Sequence, residues 1–421
     1  MFAENSQSSH PGKWFWAAIA IGILIRLYLV LFTEGTYDAV VWKYHANGVR
    51  HLGLIEYYRF NKDMNHPPFI SIAISLLPKI SEVTRVPFET LLRIPFALLD
   101  GGTLLLLLNL LDNNRHRFAL AAFYWLNPLA IIFSSFHGNT DSAIPFFVML
   151  ALWLLSKEKF VPAAATMGIS LWVKLPAILA MPAFFFFLQG WRKRLLFLAV
   201  VGLVGISIYI PALITDAHVV YKNIFGYHGI VIRTNSGIPI WGCYIFLVPL
   251  FNSLPAGFRQ IFERPFVFVL DNSWFVSLLL IILLSWLRRS YRTISHLGAT
   301  IAASYTIIYG FSNNCAFQYF AWSIPFWLFT RPVFLLPATL FAGGYIYSLY
   351  WLLCGNTWLL GTCDFTPHPK WPAIVTGFRN LSILFFFTSA CVFLIGPIYE
   401  RARSKLTKNN NKQAAHPLKT R

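Results

Sequence analysis

The feature that most constrains the fold is a series of long apolar runs that are nearly free of charged residues. The first run, residues 14–33, has the roughly 20 residues that an α-helix needs to cross the hydrocarbon layer of a bilayer. Several later runs are shorter, so those helices must lie in a thinned bilayer or enter the helix bundle as re-entrant segments. We predict about twelve membrane crossings (range about 10–13), roughly one helix for each apolar run. The runs are 14–33, 90–111, 118–136, 143–155, 161–174, 176–188, 195–214, 273–287, 297–310, 317–330, 333–353 and 381–397.

Composition agrees with a membrane protein. Hydrophobic residues make up 57% of the chain and charged residues only 12%, whereas a soluble protein carries about 25% charged residues. We therefore predict an all-α, polytopic integral membrane protein with a single membrane-embedded domain over residues 1–397. The first run has no small-residue cleavage site at its end, so we expect it to remain as the first helix.

Basic residues predict how the chain is oriented. The chain holds 34 Lys and Arg against 16 Asp and Glu, a net charge of +18. Because Lys and Arg are retained on the cytoplasmic side of membranes, we expect the basic segments and both termini there. Their position at helix ends argues against a nucleic-acid partner. The basic segments are 114–117, 157–159, 191–194, 288–292 and a tail, 398–421, that we expect to be disordered.

The opposite, outer face then receives the segments richest in polar residues. Two apolar segments, 69–80 and 241–251, would reverse this topology if they crossed the membrane, so we predict that both lie as helices on the outer leaflet. The loop after the first helix thereby contains an interfacial helix. The predicted outer segments are 34–67, 137–142, 215–239, 311–316 and 354–380.

Motif searches exclude several common functions. The sequence contains no GxxxxGK[ST], GxGxxG or HExxH, so ATP-driven transport and zinc proteolysis lack their usual signatures. The five cysteines have no metal-ligand spacing. Cys354 and Cys363 share one outer loop and can pair in an oxidising compartment.

The first outer loop, residues 34–68, carries the strongest catalytic candidate. Asp38 follows the first helix by about five residues and lies among aromatic side chains. A carboxylate at this position can act as a general base toward an incoming hydroxyl, or can bind a divalent cation. Alternatively, it is a solvated loop acid that pairs with Lys43 or Arg59.

A second polar cluster follows Asn127-Pro128, at His137-Gly138-Asn139-Thr140-Asp141-Ser142. Asn139 or Asp141 can simply cap the next helix, because both accept hydrogen bonds from its first amides. That interpretation leaves His137, which lies at the same boundary as Asp38, unexplained. Lys174 is isolated among apolar residues and either extends to the interface or binds an anion.

Together these motifs resemble those of polytopic glycosyltransferases of the GT-C superfamily. The resemblance is carried by the order of an acid and Tyr44-His45 after the first helix, then NHPP, NP, HGNTD, VKLP and FQYFAWSIPF, and it covers residues 14–330. The most similar members are bacterial-type enzymes that take mannose, glucose or arabinose from a polyprenyl-phosphate donor. Many members carry two adjacent acids in the first outer loop, whereas here Glu34 and Asp38 are separated by three residues.

The resemblance implies a role for each candidate residue. Asp38 would be the catalytic base, and transfer would invert the anomeric centre. Positive charge is needed for the leaving phosphate, with Arg233, Lys174 and His137 as candidates and Arg93 as a weaker one. The remaining candidates for substrate binding are Trp42, Tyr44, His45, Asn65, His66, Asn139, Asp141, Gln318 and Tyr319.

The resemblance also implies cofactors, partners and location. No particular cofactor is indicated, and a divalent cation, Mg²⁺ or Mn²⁺, is possible with Asp38 and Glu34 as candidate ligands. The partners would be a polyprenyl-phosphate sugar, with mannose favoured, a lipid-linked glycan, glycolipid or polysaccharide acceptor, and membrane lipids. We expect the plasma membrane of a prokaryote, with the active site on its outer face, and a role in cell-envelope glycan synthesis.

Two other classes remain open. A transporter or flippase for a lipid-linked sugar would also be polytopic with basic cytoplasmic loops, but transporters often show paired halves, and no internal repeat is visible. An assembly or polymer-export subunit without catalytic activity would not depend on Asp38.

Overall fold

The computed structural model describes residues 11–111, 116–226, 241–313, 315–360 and 371–414, with side chains up to residue 403. Across these ranges the chain consists of helices and their connections, without a β-strand. The α-helices are Lys13–Phe32, Tyr37–Leu52, Leu54–Phe60, Pro68–Ser75, Leu77–Thr84, Phe88–Leu110, Arg117–Trp125, Pro128–Ile131, Ala143–Ser156, Phe160–Val173, Met181–Phe187, Trp191–Ser207, Ile210–Val220, Tyr244–Asn252, Ala256–Asp271, Ser273–Leu287, Ile294–Phe311, Ile324–Trp327, Pro332–Cys354 and Ala373–Ala414.

Within the described ranges, four helices are long and apolar enough to cross a membrane, or up to seven spans if each bent pair counts as one, fewer than the twelve crossings predicted. Four long helices have the length to span, and they are Lys13–Phe32, Phe88–Leu110, Pro332–Cys354 and Ala373–Arg403. Three more are pairs of helices joined at a bend, Arg117–Trp125 with Pro128–Phe136, Trp191–Ser207 with Ile210–Phe225, and Ala256–Asp271 with Ser273–Leu287. The shorter apolar helices are Thr140–Ser156, Phe160–Val173 and Leu175–Phe187. These segments confirm the all-α, polytopic membrane architecture.

The boundaries of three predicted crossings need correction. The run 195–214 is not straight, because the chain bends by 82° between Ser207 and Ile210, where Pro211 cannot continue the hydrogen-bond ladder. The run 317–330 is not one helix: a 3₁₀ turn, Phe317–Trp322, is followed by a single α-turn that begins at Ile324-Pro325. The last helix starts at Ala373 and continues to Ala414, into the tail expected to be disordered.

Neither segment predicted to lie on the outer leaflet forms a helix long enough to span. The first comprises two helices of eight residues, Pro68–Ser75 and Leu77–Thr84, and the second comprises Tyr244–Asn252. The sequence did not predict the helix that follows, Ala256–Asp271, because Arg259 and Glu263 interrupt its apolar pattern. Cys354 is disulfide-bonded, and its predicted partner, Cys363, lies outside the described residues.

The basic segments 191–194 and 288–292 and the start of the tail lie at one end of the helix bundle. Arg292 donates a hydrogen bond of 2.5 Å to the carbonyl of Phe187, and Arg401 donates to the carbonyl of Leu287. Ser273–Leu287 leads from this end to Asn272, which lines the cavity described below. A helix of this length is about 22 Å long. The cavity and the basic loops therefore occupy opposite ends of the bundle, as the charge pattern predicts.

The first outer loop folds into a packed layer with its own apolar core. Its main helix, Tyr37–Leu52, places Ala39, Trp42, Ala46 and Val49 on one buried face at helical spacing. A glycine is needed where this helix ends, because Gly53 has φ = +80°. The rest of this core is formed mainly by Tyr57, Tyr58, Met64, Ile70, Ile74, Phe88, Leu92 and Phe96.

Hydrogen bonds and an ion pair hold this layer against the bent helix pair Trp191–Ser207 and Ile210–Phe225. The side-chain amide of Asn223 donates to the carbonyls of Tyr58, Asn61 and Met64 at 3.0–3.3 Å. Arg59 forms an ion pair with Asp216 at 2.8 Å. Because Asn223 is buried, its three hydrogen bonds hold the outer loop against the bundle.

A buried ion pair joins the first helix to Phe88–Leu110. Arg26 donates to Asp100 from Nε at 2.9 Å and from Nη2 at 2.5 Å, and both side chains are only 5% exposed. Tyr124 and Ser134 also donate to the Asp100 carboxylate. Arg26 lies 3.6 Å from the ring centroid of Trp125. We call Arg26, Asp100, Tyr124 and Ser134 the sealed network.

Arg93 is a structural residue and does not fit a phosphate contact. Its side chain is fully buried, and its donors are directed at the preceding turn and at the end of the first helix. Nε donates to the carbonyl of Glu89, Nη1 to Leu29 and Thr33, and Nη2 to the carbonyls of Val30 and Thr33. All five N–H groups of the guanidinium are thereby used.

Candidate active site

A cavity of about 900 Å³ opens between the first outer loop and the ends of several bundle helices. It brings together side chains that are up to 281 residues apart in sequence, from Asp38 near the first helix to Tyr319. Both polar groups and apolar side chains contribute to its wall. The lining residues are Asp38, Val41, Trp42, His45, Asp63, Asn65, His66, Pro67, Asn139, Lys174, Leu175, Pro176, Ile224, Asp271, Asn272, Trp274, Phe275, Gln318 and Tyr319.

Asp38 lies in the first turn of Tyr37–Leu52, where the helix dipole favours a negative charge. Its Oδ2 atom accepts a hydrogen bond from the Asn139 amide at 2.5 Å and lies 3.2 Å from Nε2 of His137. The pairing with Lys43 or Arg59 does not occur, because those side chains pair with other acids. Asp38 is thus held by the HGNTD segment instead of being a solvated loop acid.

The environment keeps Asp38 ionised. Burial raises the pKa of its carboxyl, and the adjacent His137 ring lowers it. The Asn139 amide and the charge of Lys174 lower it further, so that the net pKa lies below the ordinary value of 3.8. The side chain is 25% exposed and lines the cavity. A charged carboxylate is therefore available to a bound molecule at neutral pH.

Asn139 lies between Asp38 and Lys174 and contacts both. Its Oδ1 atom accepts the backbone N–H of Thr140 at 2.6 Å, which is the capping role, while Nδ2 donates to Asp38. Nζ of Lys174 lies 3.4 Å from the same Oδ1. Asn139 therefore caps the following turn and also lines the cavity, so capping alone does not account for its position.

Lys174 is held in place by a buried acid. Phe160–Val173 ends at this residue, and its Nζ donates to Oδ2 of Asp141 at 2.6 Å. Oδ1 of Asp141 accepts the indole N–H of Trp322 at 2.7 Å. Asp141 is 1% exposed and Lys174 15% exposed. The ammonium therefore lies at the cavity wall, and its counter-ion lies behind it.

Aromatic and neutral imidazole groups form the wall near the outer loop. The rings of Trp42 and His66 are 4.1 Å apart between centroids, and Nδ1 of His45 lies 2.8 Å from the Tyr57 hydroxyl. Burial lowers the pKa of His45 to about 4. It also lowers the pKa of His66 well below its usual range, and Lys174 lowers that pKa further. Both imidazoles are neutral at pH 7 and can donate and accept hydrogen bonds.

Most residues predicted for substrate binding lie on this cavity, but not all. Tyr44 is 57% exposed and is not part of the wall, and His137 and Asp141 are buried behind it. For these three residues the prediction of direct substrate contact is not supported by their positions. Arg233 lies outside the described residues. The predicted residues on the wall are Asp38, Trp42, His45, Asn65, His66, Asn139, Lys174, Gln318 and Tyr319.

Several wall residues were missed from the sequence. Asp63 lies in the first outer loop, Asp271 and Asn272 directly precede the run 273–287, and Trp274 and Phe275 lie at its start. One sequence feature could have predicted them: the polar pair Asp271-Asn272 directly precedes the apolar helix Ser273–Leu287, at an end predicted to face outward. Phe275 is 55% exposed. These residues complete the cavity wall.

Gln318 offers an unsatisfied acceptor to the cavity. It lies in the 3₁₀ turn Phe317–Trp322, and its Oε1 atom is buried without a hydrogen-bond partner among the described residues. Tyr319, beside it, stacks on Trp322 at 4.1 Å between centroids. A buried acceptor without a partner is costly, so a donor group from a bound molecule would stabilise it.

The residues around Asp38 fit a divalent cation poorly. Mg²⁺ and Mn²⁺ need several oxygen ligands, whereas Oδ2 of Asp38 is already engaged by hydrogen-bond donors. Glu34 is exposed and is not part of the cavity wall. Within the described ranges, no group of three His, Cys, Asp or Glu side chains could hold a metal ion. We therefore derive no catalytic step through a metal.

Comparison with known proteins adds one relative. No family model matches the chain. The chain is similar to GPI mannosyltransferase 1 of the yeast Kluyveromyces lactis, with 24% identity over 283 residues. The match covers 63% of this chain and 65% of the yeast protein, so the chain spans just under two thirds of its relative's length.

Proposed function

We propose that this protein is a membrane glycosyltransferase that moves mannose from a polyprenyl-phosphate-linked donor to a lipid-linked glycan. The observation that carries the proposal is the cavity in which a charged carboxylate, Asp38, and an ammonium group, Lys174, are joined through Asn139. Glycosyl transfer needs both groups, since a base must accept the proton of the acceptor hydroxyl and a cation must stabilise the departing phosphate.

Asp38 is suited to be the general base. Two neighbours engage Oδ2, and Oδ1 has no hydrogen-bond partner among the described residues, which leaves that oxygen for a substrate hydroxyl. As the acceptor oxygen attacks the anomeric carbon, its proton passes to Asp38, and the bond between that carbon and the phosphate oxygen breaks. The phosphate leaves with the electron pair, and attack from the opposite side inverts the anomeric centre.

Lys174 is the cation that we assign to the phosphate. Asp141 fixes the ammonium at 2.6 Å from behind, so the group reaches the cavity without free rotation of a long side chain. A charge-assisted hydrogen bond to phosphate is among the stronger contacts in proteins. Arg233 remains a second candidate for this contact.

The remaining wall supplies the groups that hold a sugar. The rings of Trp42 and His66 lie against each other at a tilt of 32°, and Asn65 and the neutral His45 can bond to hydroxyl groups. Gln318 offers an acceptor for a sugar O–H. The name of the yeast relative supports mannose as the sugar and a GPI-type glycolipid as a lipid-linked acceptor.

We infer that the reaction takes place on the non-cytoplasmic face, because the cavity lies at the end of the bundle opposite the basic loops. Single-cysteine probes test this orientation. Phe60→Cys lies near the cavity end, and Lys193→Cys lies in a basic loop. An impermeant thiol reagent should label the first probe, and not the second, in intact cells. The reverse result would place the active site in the cytoplasm.

A transfer assay tests the activity itself. The purified full-length chain in nanodiscs would be given polyprenyl-phosphate-linked mannose, glucose or arabinose with synthetic lipid-linked monosaccharides as acceptors. With the mannose donor we expect free polyprenyl phosphate and, in equal amount, an acceptor enlarged by one sugar. Turnover with another sugar only would correct the donor. No turnover, combined with movement of intact donor across proteoliposomes, would favour a flippase.

A further inference from the structure

Three side chains in close contact lead from the membrane helix Pro332–Cys354 to the carboxylate of Asp38. The Tyr350 hydroxyl lies 2.5 Å from Nδ1 of His137, and Nε2 of the same ring lies 3.2 Å from Oδ2 of Asp38. Tyr350 is fully buried and His137 is 1% exposed. Neither residue lines the cavity.

We propose that Tyr350 and His137 are positioning residues that orient Asp38 and set its basicity. This inference rests on the proposed role of Asp38 as the base. It replaces the expectation that His137 contacts the donor phosphate, because the ring lies behind the carboxylate. When Nδ1 accepts the tyrosine O–H, the ring carries an N–H on Nε2, which lies 3.2 Å from Oδ2 of Asp38.

Further contacts hold the ring in this orientation. Thr36 donates from Oγ1 to the backbone carbonyl of His137 at 2.7 Å. Phe133 and Phe317 contact the imidazole edge to face, at 5.9 Å between centroids. The ring is thus packed between two phenyl groups, with Nδ1 beside the Tyr350 hydroxyl and Nε2 directed at Asp38.

The two oxygens of the Asp38 carboxylate therefore have different roles. His137 and Asn139 occupy Oδ2, so Oδ1 is the oxygen that receives the acceptor proton. The charged and titratable groups that face Asp38 are His137, Lys174, His66 and Tyr350. Of these, His137 contributes most to keeping the carboxylate ionised.

The experiment compares Tyr350→Phe, His137→Gln and His137→Leu in the transfer assay. Loss of a hydrogen bond to a charged group predicts a fall in kcat of about 10- to 100-fold for His137→Leu, with the donor KM unchanged. His137→Gln keeps an N–H donor near Oδ2 and should recover part of the rate. Tyr350→Phe should lower kcat about three- to tenfold, and should have no further effect in the His137→Leu background.

A matched control is Tyr305→Phe, which removes a buried hydroxyl that has no partner among the described residues. It should leave kcat unchanged. If Tyr350→Phe and His137→Leu also leave kcat unchanged in an active enzyme, the positioning role is wrong and the proposed function stands. A larger donor KM with unchanged kcat would also overturn the inference, because it would indicate direct phosphate contact.

Carbodiimide labelling of Asp38 gives a readout that does not need activity. Carbodiimides react with protonated carboxyls, so the labelling of Asp38, followed by mass spectrometry, reports its protonation against pH. Removing the imidazole in His137→Leu should shift this curve to higher pH, and Tyr305→Phe should not move it. An unshifted curve for His137→Leu would contradict the inference even if the sugar substrates are misidentified.

Discussion

The sealed network and the active site both place charged side chains in an apolar bundle, but only the active site lines the cavity. We call its residues Asp38, His45, Asn139 and Lys174 the open cluster. Asp100 is surrounded by donors from Arg26, Tyr124 and Ser134, and its side chain is 5% exposed. Asp38 is 25% exposed. A charge that the protein itself fully satisfies serves stability, whereas a charge left partly free can act on a substrate.

The cations of the two clusters, Arg26 and Lys174, also differ in their surroundings. In the sealed network, Arg26 bonds to Asp100 and to the carbonyls of Gly22 and Trp125, so protein atoms surround it. Lys174 bonds to Asp141 but also lines the cavity. Arg suits the closed position because its planar fork satisfies several acceptors at once. Lys suits the open position because its ammonium group can turn a remaining donor toward a ligand.

The largest predicted effect on stability lies in the sealed network. Asp100→Asn removes the counter-ion of Arg26 and leaves a buried, uncompensated charge, which should lower the free energy of unfolding by about 3–5 kcal/mol. Chemical denaturation in detergent measures this change. Glu82→Gln, which breaks an exposed ion pair with Arg50, should cost less than about 1 kcal/mol. An Asp100→Asn protein as stable as wild type would show that the network is not structural.

A smaller effect is expected at the cation of the open cluster. Lys174→Met removes the proposed phosphate contact and should lower kcat/KM for the donor about 10- to 100-fold. It also leaves Asp141 buried without its cation, so it should destabilise the protein.

The double variant Lys174→Met/Asp141→Asn separates these two consequences. The neutral amide keeps an acceptor for the Trp322 indole, and the double variant should regain stability. Its transfer rate should remain low, because the phosphate still lacks a cation. If activity returns together with stability, Lys174 has no role beyond charge compensation.

The open cluster should also respond to pH. The pKa of His45 is lowered to about 4 by burial, so between pH 6.5 and 4 the unfolded chain takes up a proton that the folded protein does not. Stability should therefore fall as the pH falls through this window, by at most about 1.4 kcal/mol per pH unit for this residue. His45→Gln should reduce that slope in unfolding curves, whereas an unchanged slope would show that His45 titrates normally.

The smallest effect is expected at Glu34, which is exposed and not part of the cavity wall. Glu34→Gln should change transfer less than about threefold, as expected for a surface charge. A loss equal to that of an Asp38 variant would instead indicate that the two carboxylates share a metal ion.

Much of this architecture could be predicted from the sequence. The length of each apolar run fixes a helix, because a backbone in lipid must satisfy its own hydrogen bonds. The basic loops then indicate which loops share an end, which is why Asp38, Asn139, Lys174 and Gln318 were expected on one face and line one cavity. The bends near Ser207 and Asn272 were missed, because apolar composition does not report the direction of a helix.

The sequence also did not predict the directions in which side chains point. His137 and Asp141 lie in the HGNTD segment beside Asn139, yet only Asn139 reaches the cavity wall. Sequence spacing in an irregular turn does not determine which side chain faces a ligand. The pairing of Arg26 with Asp100 was missed as well, although each is a rare charge within an apolar run and such charges usually have partners.

The most direct test measures both turnover and the free energy of unfolding of the Asp38→Asn variant. This substitution keeps the shape of the side chain and removes its negative charge. If the open cluster is catalytic, turnover should fall by about 10²–10⁴-fold, while the unfolding free energy stays within about 1 kcal/mol of wild type and Asp100→Asn shows the opposite pattern. Turnover within threefold of wild type for Asp38→Asn would contradict the assignment of Asp38 as the base.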